Sequence, residues 1–132
     1  MLNPEAKALA AGPLLGQVSD GAARVWVQGH DDAELRLTLY AGQAGAALRE
    51  FVVTPRPEEY FCAFFVITGL SPQTEYAYAI SGRHGETPRY RLRAGIAPDA
   101  RAARLGFGSC CNDYWLPQLP IFDAIVVEDV DT

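Results

Sequence analysis

A chain of 132 residues, 49% hydrophobic and 20% charged, is long enough for one hydrophobic core and has the composition of a globular protein. Its formal net charge of −5 excludes a general nucleic-acid binder, because such proteins neutralise phosphates with lysine and arginine. No apolar run reaches the roughly 20 residues that span a bilayer. The composition therefore predicts one domain with at most an appendage, with no nucleic-acid partner and no membrane.

Residues 1–11 form a lead-in in which Pro4 and Glu5 interrupt any apolar segment, so this stretch is unlike a secretory signal. We therefore expect a cytoplasmic protein, or a periplasmic or secreted one if residue 1 is not the native start. The three cysteines include no C-x-x-C pair and fit neither a disulfide framework nor a zinc ribbon.

Residues 12–95 alternate short apolar segments with turn residues, at the spacing typical of a β-sandwich. The clearest example is the run LRLTLY, in which Leu35, Leu37 and Leu39 recur with period two, as in a half-buried strand. No part of this region has sustained helical periodicity. The sequence predicts an all-β sandwich of about seven strands over residues 12–95.

The composition changes after the sandwich. Residues 96–103, rich in small residues and alternating charge, are predicted to be a linker. Residues 104–132 then predict a strand, a Gly-Ser turn and a helix that begins at Pro120. One strand and part of a helix cannot form a domain alone, so we expect the incomplete start of an α/β domain.

The segment GLSPQTEYAY has the spacing of a tyrosine corner, in which a phenol bonds a backbone group and pins a turn between sheets. Leu70, Pro72 and Tyr76 are the structural residues of this motif, and Trp26 on an early strand is a further structural residue. On these residues the chain resembles fibronectin type III and related immunoglobulin-like modules. Alternation alone leaves open whether Trp26 or its neighbours face the core.

Arg89, Arg91 and Arg93 alternate along one predicted strand, so their guanidinium groups share a face. Such a face can bind an anion or dock an acidic neighbouring domain. The simpler interpretation is a solvated strand face that arginine stems cover. His30 and His84 lie in charged turns without partners at ligand spacing, and we interpret both as exposed.

Cys110 and Cys111 follow the Gly-Ser turn at the end of the predicted strand, where active-site residues of α/β folds gather. The thiolate chemistry available there is that of a nucleophile, a redox centre or a metal ligand. No base for a nucleophile can be named, and adjacent cysteines form a strained ring. The alternative is two small apolar residues packed behind a turn.

The order of these segments, from GPLLGQV through GLSPQTEYAY and RLGFGSCCND to PIFDAIVVEDVD, resembles the start of PhoD-like alkaline phosphatases. In that family a fibronectin-like domain precedes a metallophosphatase domain. The family motif Phe-x-Ser-Cys is matched by Phe107, Gly108, Ser109 and Cys110. The resemblance implies that Cys110 is a metal ligand, and that the complete parent holds two metal ions (iron, calcium or zinc). Cys111 matches no family ligand.

The resemblance implies a noncatalytic N-terminal domain that flanks the active site of a phosphatase or phosphodiesterase. Its partners would be the remainder of its own catalytic domain and, for the parent, a phosphoester substrate. We expect no activity and no cofactor in the 132-residue chain alone.

The predicted start of the α/β domain carries apolar side chains without a complete sheet. We expect it to be mobile, to fold back on the sandwich or to pair between molecules. Two other functional hypotheses stay open: a free-standing fibronectin-like module for adhesion or carbohydrate binding, and a thiol-dependent protein that uses Cys110 and Cys111.

Overall fold

A computed structural model describes residues 7–104 and residue 106. Within this range the chain forms eight β-strands and one three-residue 3-10 helix, Pro57–Glu59. The strands are β1 (Ala11–Val18), β2 (Ala22–Gln28), β3 (Leu35–Tyr40), β4 (Ala47–Val53), β5 (Cys62–Thr68), β6 (Glu75–Gly82), β7 (Gly85–Glu86) and β8 (Tyr90–Arg93).

The strands form two antiparallel sheets that face each other. One sheet has the order β1-β2-β5, and the other has the order β4-β3-β6, with β7 and β8 both paired to β6. The predicted all-β, fibronectin type III-like sandwich is therefore confirmed. All of its strands fall within residues 11–93.

There are eight strands rather than about seven because the strand beside β6 is divided in two. Between β7 and β8, the Thr87 N–H donates to the Ile80 carbonyl at 2.9 Å, and the Ile80 N–H donates to the Thr87 hydroxyl at the same distance. A side chain thus takes a place in the ladder that backbone normally fills. Pro88, which has no N–H, follows directly.

The core lies between the sheets and follows the period-two pattern of the strands. Each sheet contributes four large side chains that are fully buried, or nearly so. From the three-stranded sheet these are Val25, Val27, Phe65 and Ile67, and from the other sheet they are Leu37, Leu39, Ile80 and Leu92.

Trp26 lies on the outer face of the three-stranded sheet. Its neighbours Val25 and Val27 have no exposed surface, whereas Trp26 is half-buried and stands opposite Leu14 on β1 and Phe64 on β5. The ambiguity in the sequence is thus resolved in favour of the two valines as the core side of β2.

Tyr78 is buried on β6, with its ring centroid 5.7 Å from that of Tyr90. Burial, and to a smaller extent the neighbouring Tyr90, raises the pKa of Tyr78 to about 12. Its phenol therefore stays neutral over the physiological pH range, as a core position requires.

The strand-turn-helix start predicted for residues 104–132 lies outside the described residues, apart from residues 104 and 106. Among the residues that are described, no helix has the length and apolar character needed to cross a membrane.

Two adjacent phenylalanines allow a matched test of the core assignment. We expect Phe65→Ala to lower the free energy of unfolding by about 3–5 kcal/mol, because it leaves a cavity between the sheets. Phe64 is 54% exposed on the opposite face, so Phe64→Ala should cost far less. Urea denaturation of both variants measures the difference, and equal losses would contradict the assignment.

Candidate functional site

The chain leaves the sandwich at a fixed point, Gly95. The Gly95 N–H donates to the Ser19 carbonyl at 2.8 Å, and the Gly95 carbonyl accepts from the Gln73 N–H at 3.0 Å. Gly95 follows β8 of the five-stranded sheet, whereas Ser19 belongs to the turn between β1 and β2 of the other sheet. The Gly95 backbone therefore links the β1–β2 turn of one sheet to the loop that leads into β6 of the other. We call this end of the sandwich the exit end.

Backbone packing at the exit end leaves no room for a side chain on Gly95. A Cβ there would lie 2.7 Å from the Ser19 carbonyl carbon and 2.9 Å from its oxygen, both of which are backbone atoms. The same turn is bonded to the chain that follows β5, since the Leu70 N–H donates to the Gly21 carbonyl at 3.0 Å. One turn thus joins three parts of the chain at this end.

The tyrosine corner lies at the same end. The Tyr76 hydroxyl accepts a hydrogen bond from the Ser71 N–H at 2.9 Å, and Leu70 is packed in the core with 6% of its surface exposed. Pro72 is exposed, and its carbonyl accepts from the Thr74 hydroxyl at 3.1 Å. The phenol therefore holds the loop that carries Gln73, which in turn bonds Gly95.

Arg89 is engaged within the sandwich. Its guanidinium carbon lies 3.6 Å from the centroid of the Tyr40 ring, and one of its nitrogens donates to the carbonyls of Gln43 and Gly45. These contacts connect the loop after β3 to the residue that precedes β8. Cation–ring stacking of this kind orders an arginine without needing a bound anion.

Arg91 forms an ion pair with Glu75 on β6, and Arg93 also has interactions within the described chain. Arg91 and Arg93 lie on β8 at alternate positions, Arg89 directly precedes that strand, and all three have contacts within the described chain. Their use as an anion or docking face stays a prediction.

A cluster that the sequence did not reveal joins the β2–β3 turn to the β6–β7 turn. The rings of His30 and His84 are 4.9 Å apart, and His84 Nε2 lies 2.9 Å from Asp31 Oδ2. A carboxylate can only accept, so His84 Nε2 carries the proton. Residues 30 and 84 are far apart in sequence, and neither has a spacing signal that would predict this contact.

Asp31 is the centre of this cluster. The hydrogen bond from His84, then that from the Ala33 N–H, lowers the pKa of the Asp31 carboxyl, and the charge of Arg83 adds to this. The ionised form of the Asp31 carboxyl is therefore more favoured in the folded state than in the unfolded state.

The outer face of the three-stranded sheet is apolar. Leu14, Trp26 and Phe64 stand in one row across β1, β2 and β5, and Leu14 is 63% exposed and Phe64 54% exposed. In the next row Val66 is 48% exposed beside Arg24, whose guanidinium carbon lies 5.5 Å from the Phe64 ring centroid. We call these two rows the outer apolar face.

An open groove of about 600 Å³ adjoins the outer apolar face at Phe64. It lies where β4 and β5, the edge strands of the two sheets, run side by side. Its lining residues are Val53, Thr54, Arg56, Glu59, Cys62, Ala63 and Phe64. The outer apolar face is therefore continuous with a groove that is lined by both apolar and charged side chains.

Cys110, the predicted metal ligand, and the motif residues Phe107, Gly108 and Ser109 lie outside the described residues. Among the residues that are described, no three His, Cys, Asp or Glu side chains form a group that could hold a metal ion.

A family model described as "Domain of unknown function (DUF7800)" matches residues 6–87, more than half of the chain. No curated protein matches the sequence. Among solved structures, one titled "Structure of PhoD" is similar with a TM-score of 0.60 at 15% identity, over 68% of this chain and 20% of that chain. The chain thus spans about a fifth of the length of that protein, and the likeness shows a PhoD-related fold.

Two further solved structures are similar at lower scores. The fn3 domain of human collagen alpha-1(XX) chain has a TM-score of 0.46 at 19% identity, over 77% of this chain and 96% of its own. The sensor domain of the anti-sigma factor RsgI4 in Pseudobacteroides cellulosolvens has a TM-score of 0.45 at 6% identity, over 77% of this chain and 92% of its own.

The exit end can be tested with a matched pair of glycines. We expect Gly95→Ala to lower the free energy of unfolding by about 1–3 kcal/mol, because the new methyl group meets backbone atoms that cannot move aside. The control is Gly21→Ala, where the nearest atom to a Cβ is the Leu70 oxygen at 3.9 Å. Urea denaturation compares the two, and an unchanged Gly95→Ala protein would refute the exit geometry.

The Asp31 cluster predicts a pH dependence. Because the folded pKa of Asp31 is lowered, its stabilising effect is present above the unfolded value of about 3.9 and is lost as the pH falls through the folded value. Asp31→Asn should therefore unfold at lower urea concentration than the parent at neutral pH. This difference in urea concentration should disappear as the pH is lowered.

Asp32→Asn removes a charge from the same turn and is the control for Asp31→Asn. If the difference in unfolding midpoint between Asp31→Asn and the parent stays constant as the pH falls below the unfolded pKa, the His84–Asp31 contact is not its source.

Proposed function

The chain belongs to the family described as "Domain of unknown function (DUF7800)", and we propose that it is the noncatalytic N-terminal domain of a PhoD-like, metal-dependent phosphatase or phosphodiesterase. The observation that carries the proposal is the likeness of its sandwich to part of PhoD, over 68% of this chain and only 20% of that one. A sandwich that matches about a fifth of PhoD fits the role of one domain in a larger protein of that kind.

The sequence beyond the sandwich supports the same proposal. The run FGSC, Phe107 to Cys110, matches the Phe-x-Ser-Cys motif of the PhoD-like family and follows the sandwich after a short linker. A thiolate is a strong ligand for iron or zinc. Cys110 would hold one ion of a two-metal site, which supplies an activated water and neutralises the leaving oxygen.

The sandwich itself contributes position rather than chemistry. The hydrogen bonds of Gly95 to Ser19 and Gln73 fix where the chain departs, and eleven residues, 96–106, separate Gly95 from Phe107. A rigid exit limits the positions that the following residues can reach. In the proposed parent, the sandwich would thereby flank the entrance to the active site.

A second candidate function is a free-standing binding module. The observation that favours it is the row of Leu14, Trp26 and Phe64, since exposed rings on a sheet can stack on carbohydrate or pack on an apolar partner. This candidate needs no chemistry from the segment after Gly95. The two candidates therefore differ in whether Cys110 matters.

The experiment compares the isolated 132-residue chain with the complete product of the gene that encodes it. With iron, calcium or zinc supplied, we expect only the complete product to hydrolyse bis(p-nitrophenyl) phosphate. Cys110→Ser in that product should lower both activity and bound metal. Loss of a group that only supports a metal ligand costs roughly 10–100-fold, and loss of the ligand itself should cost at least as much. Cys111→Ser is the matched control.

Three results would overturn the proposal. The first is metal-dependent hydrolysis by the isolated chain, and the second is full metal content and activity in Cys110→Ser. The third is a gene product without a metallophosphatase domain, which would leave the binding module as the remaining candidate.

A further inference from the structure

The outer apolar face is unusual because its exposed side chains are the kind that a sandwich normally buries. An antiparallel sheet that covers a core on one side usually presents polar residues on the other. Here three neighbouring strands present Leu14, Trp26 and Phe64 side by side, with Val66 in the adjoining row. A contiguous apolar surface of this kind marks an interaction site.

The one charged side chain of this face lacks a carboxylate partner. Arg24 lies over the Phe64 ring at 5.5 Å, and among the described residues it forms no ion pair. Gly16 stands beside it on β1 and leaves the Arg24 stem uncovered on that side. An occupant of this face should therefore be largely apolar and should bring acidic groups.

We propose that the outer apolar face is the docking surface for residues 107–132 of this same chain. This segment contains five acidic residues and no lysine or arginine, whereas residues 1–106 contain eleven acidic and eleven basic residues. The formal charge of −5 thus belongs entirely to the segment. Its large apolar side chains are Phe107, Tyr114, Trp115, Leu116, Leu119, Ile121, Phe122, Ile125, Val126, Val127 and Val130.

The place where the chain leaves the sandwich brings the segment within reach of this face. Gly95 is bonded to Ser19, at the end of the sheet where β1 ends and β2 begins. Trp26 is four residues along β2 from its first residue, roughly 13 Å away. The eleven residues 96–106 span at most roughly 40 Å, which is ample for that distance.

A second copy of the chain fits this face less well. Face-to-face pairing about a twofold axis places each surface against itself. Two Arg24 guanidinium groups would then be desolvated in one interface, with no carboxylate from either face to compensate them. The acidic segment relieves this problem, because it brings carboxylates and is always present at the concentration set by its own tether.

The proposal goes beyond the phosphatase function, since it concerns only residues 1–132 and their contacts. The test uses the full chain with Trp26→Phe, which keeps an aromatic ring in the outer apolar face and leaves Trp115 in the segment as the sole tryptophan. Acrylamide quenching then reports whether Trp115 is shielded. Hydrogen exchange of residues 107–132, followed by mass spectrometry in the unmodified chain, gives a second readout.

The variant and its control are valines with the same exposure on edge strands of opposite sheets. Val66→Asp changes the outer apolar face, and Val52→Asp changes the outer side of β4, where Val52 is also 48% exposed. We expect Val66→Asp to increase the quenching of Trp115 severalfold and to speed exchange in residues 107–132 roughly tenfold. Val52→Asp should leave both unchanged.

Circular dichroism checks that each variant folds, and Leu14→Ser, at a residue of the face that is 63% exposed, replaces Val66→Asp if that variant does not. Equal quenching and exchange in the two valine variants would overturn the proposal. So would shielding of Trp115 that grows with protein concentration while sedimentation shows a dimer. A second copy would then be the occupant. None of these readouts involves a phosphoester, so this proposal and the proposed function can fail separately.

Discussion

The register between β2 and β5 is the constraint on which the rest of the structure depends. Pairing Val25 with Phe65 and Ala23 with Ile67 turns all four side chains inward. The same pairing necessarily turns Trp26 and Phe64 outward, because side chains alternate across a strand. A slip of one residue would exchange the two faces, so the core and the outer apolar face have a single cause.

The exit end shows how a small set of backbone bonds can fix the direction of a chain. Gly95 bonds both to the turn at Ser19 and to Gln73, and the Tyr76 phenol holds the loop that carries Gln73 through Ser71. These bonds tie the residue that follows β8 to the β1–β2 turn and to the loop between β5 and β6, so the exit is held from both sides. The tyrosine corner therefore supports the position of whatever follows the sandwich.

The strands could be predicted from the sequence because their pattern is local. Alternating leucines in β3 and the turn residues between apolar runs indicate the sandwich without any long-range information. The core side of β2 could not be predicted, since Arg24, Trp26 and Gln28 on one side compete with two valines on the other. Burial depends on what the partner strands place opposite, and that information is not local.

The same reason explains which contacts escaped prediction. His84 meets His30 and Asp31 only because two turns from distant parts of the chain lie together at one end of the sandwich. The division of β7 from β8 depends on the Thr87 hydroxyl reaching the Ile80 N–H, which no periodicity reveals. By contrast, the hydrogen bond between Tyr76 and Ser71 spans five residues, so the local spacing of the sequence predicts it.

The two proposals are independent in their evidence and complementary in their consequence. Docking of residues 107–132 depends on an apolar face, an uncompensated Arg24 and an acidic segment, and it requires no metal. The phosphatase proposal depends on the likeness of the sandwich to part of PhoD, and Cys110 within that segment supports it. If both hold, the segment that carries the ligand lies against a sheet whose own position is fixed by its core. The sandwich would then serve as a rigid support for the first residue of the site, because a ligand is positioned only as well as the structure behind it.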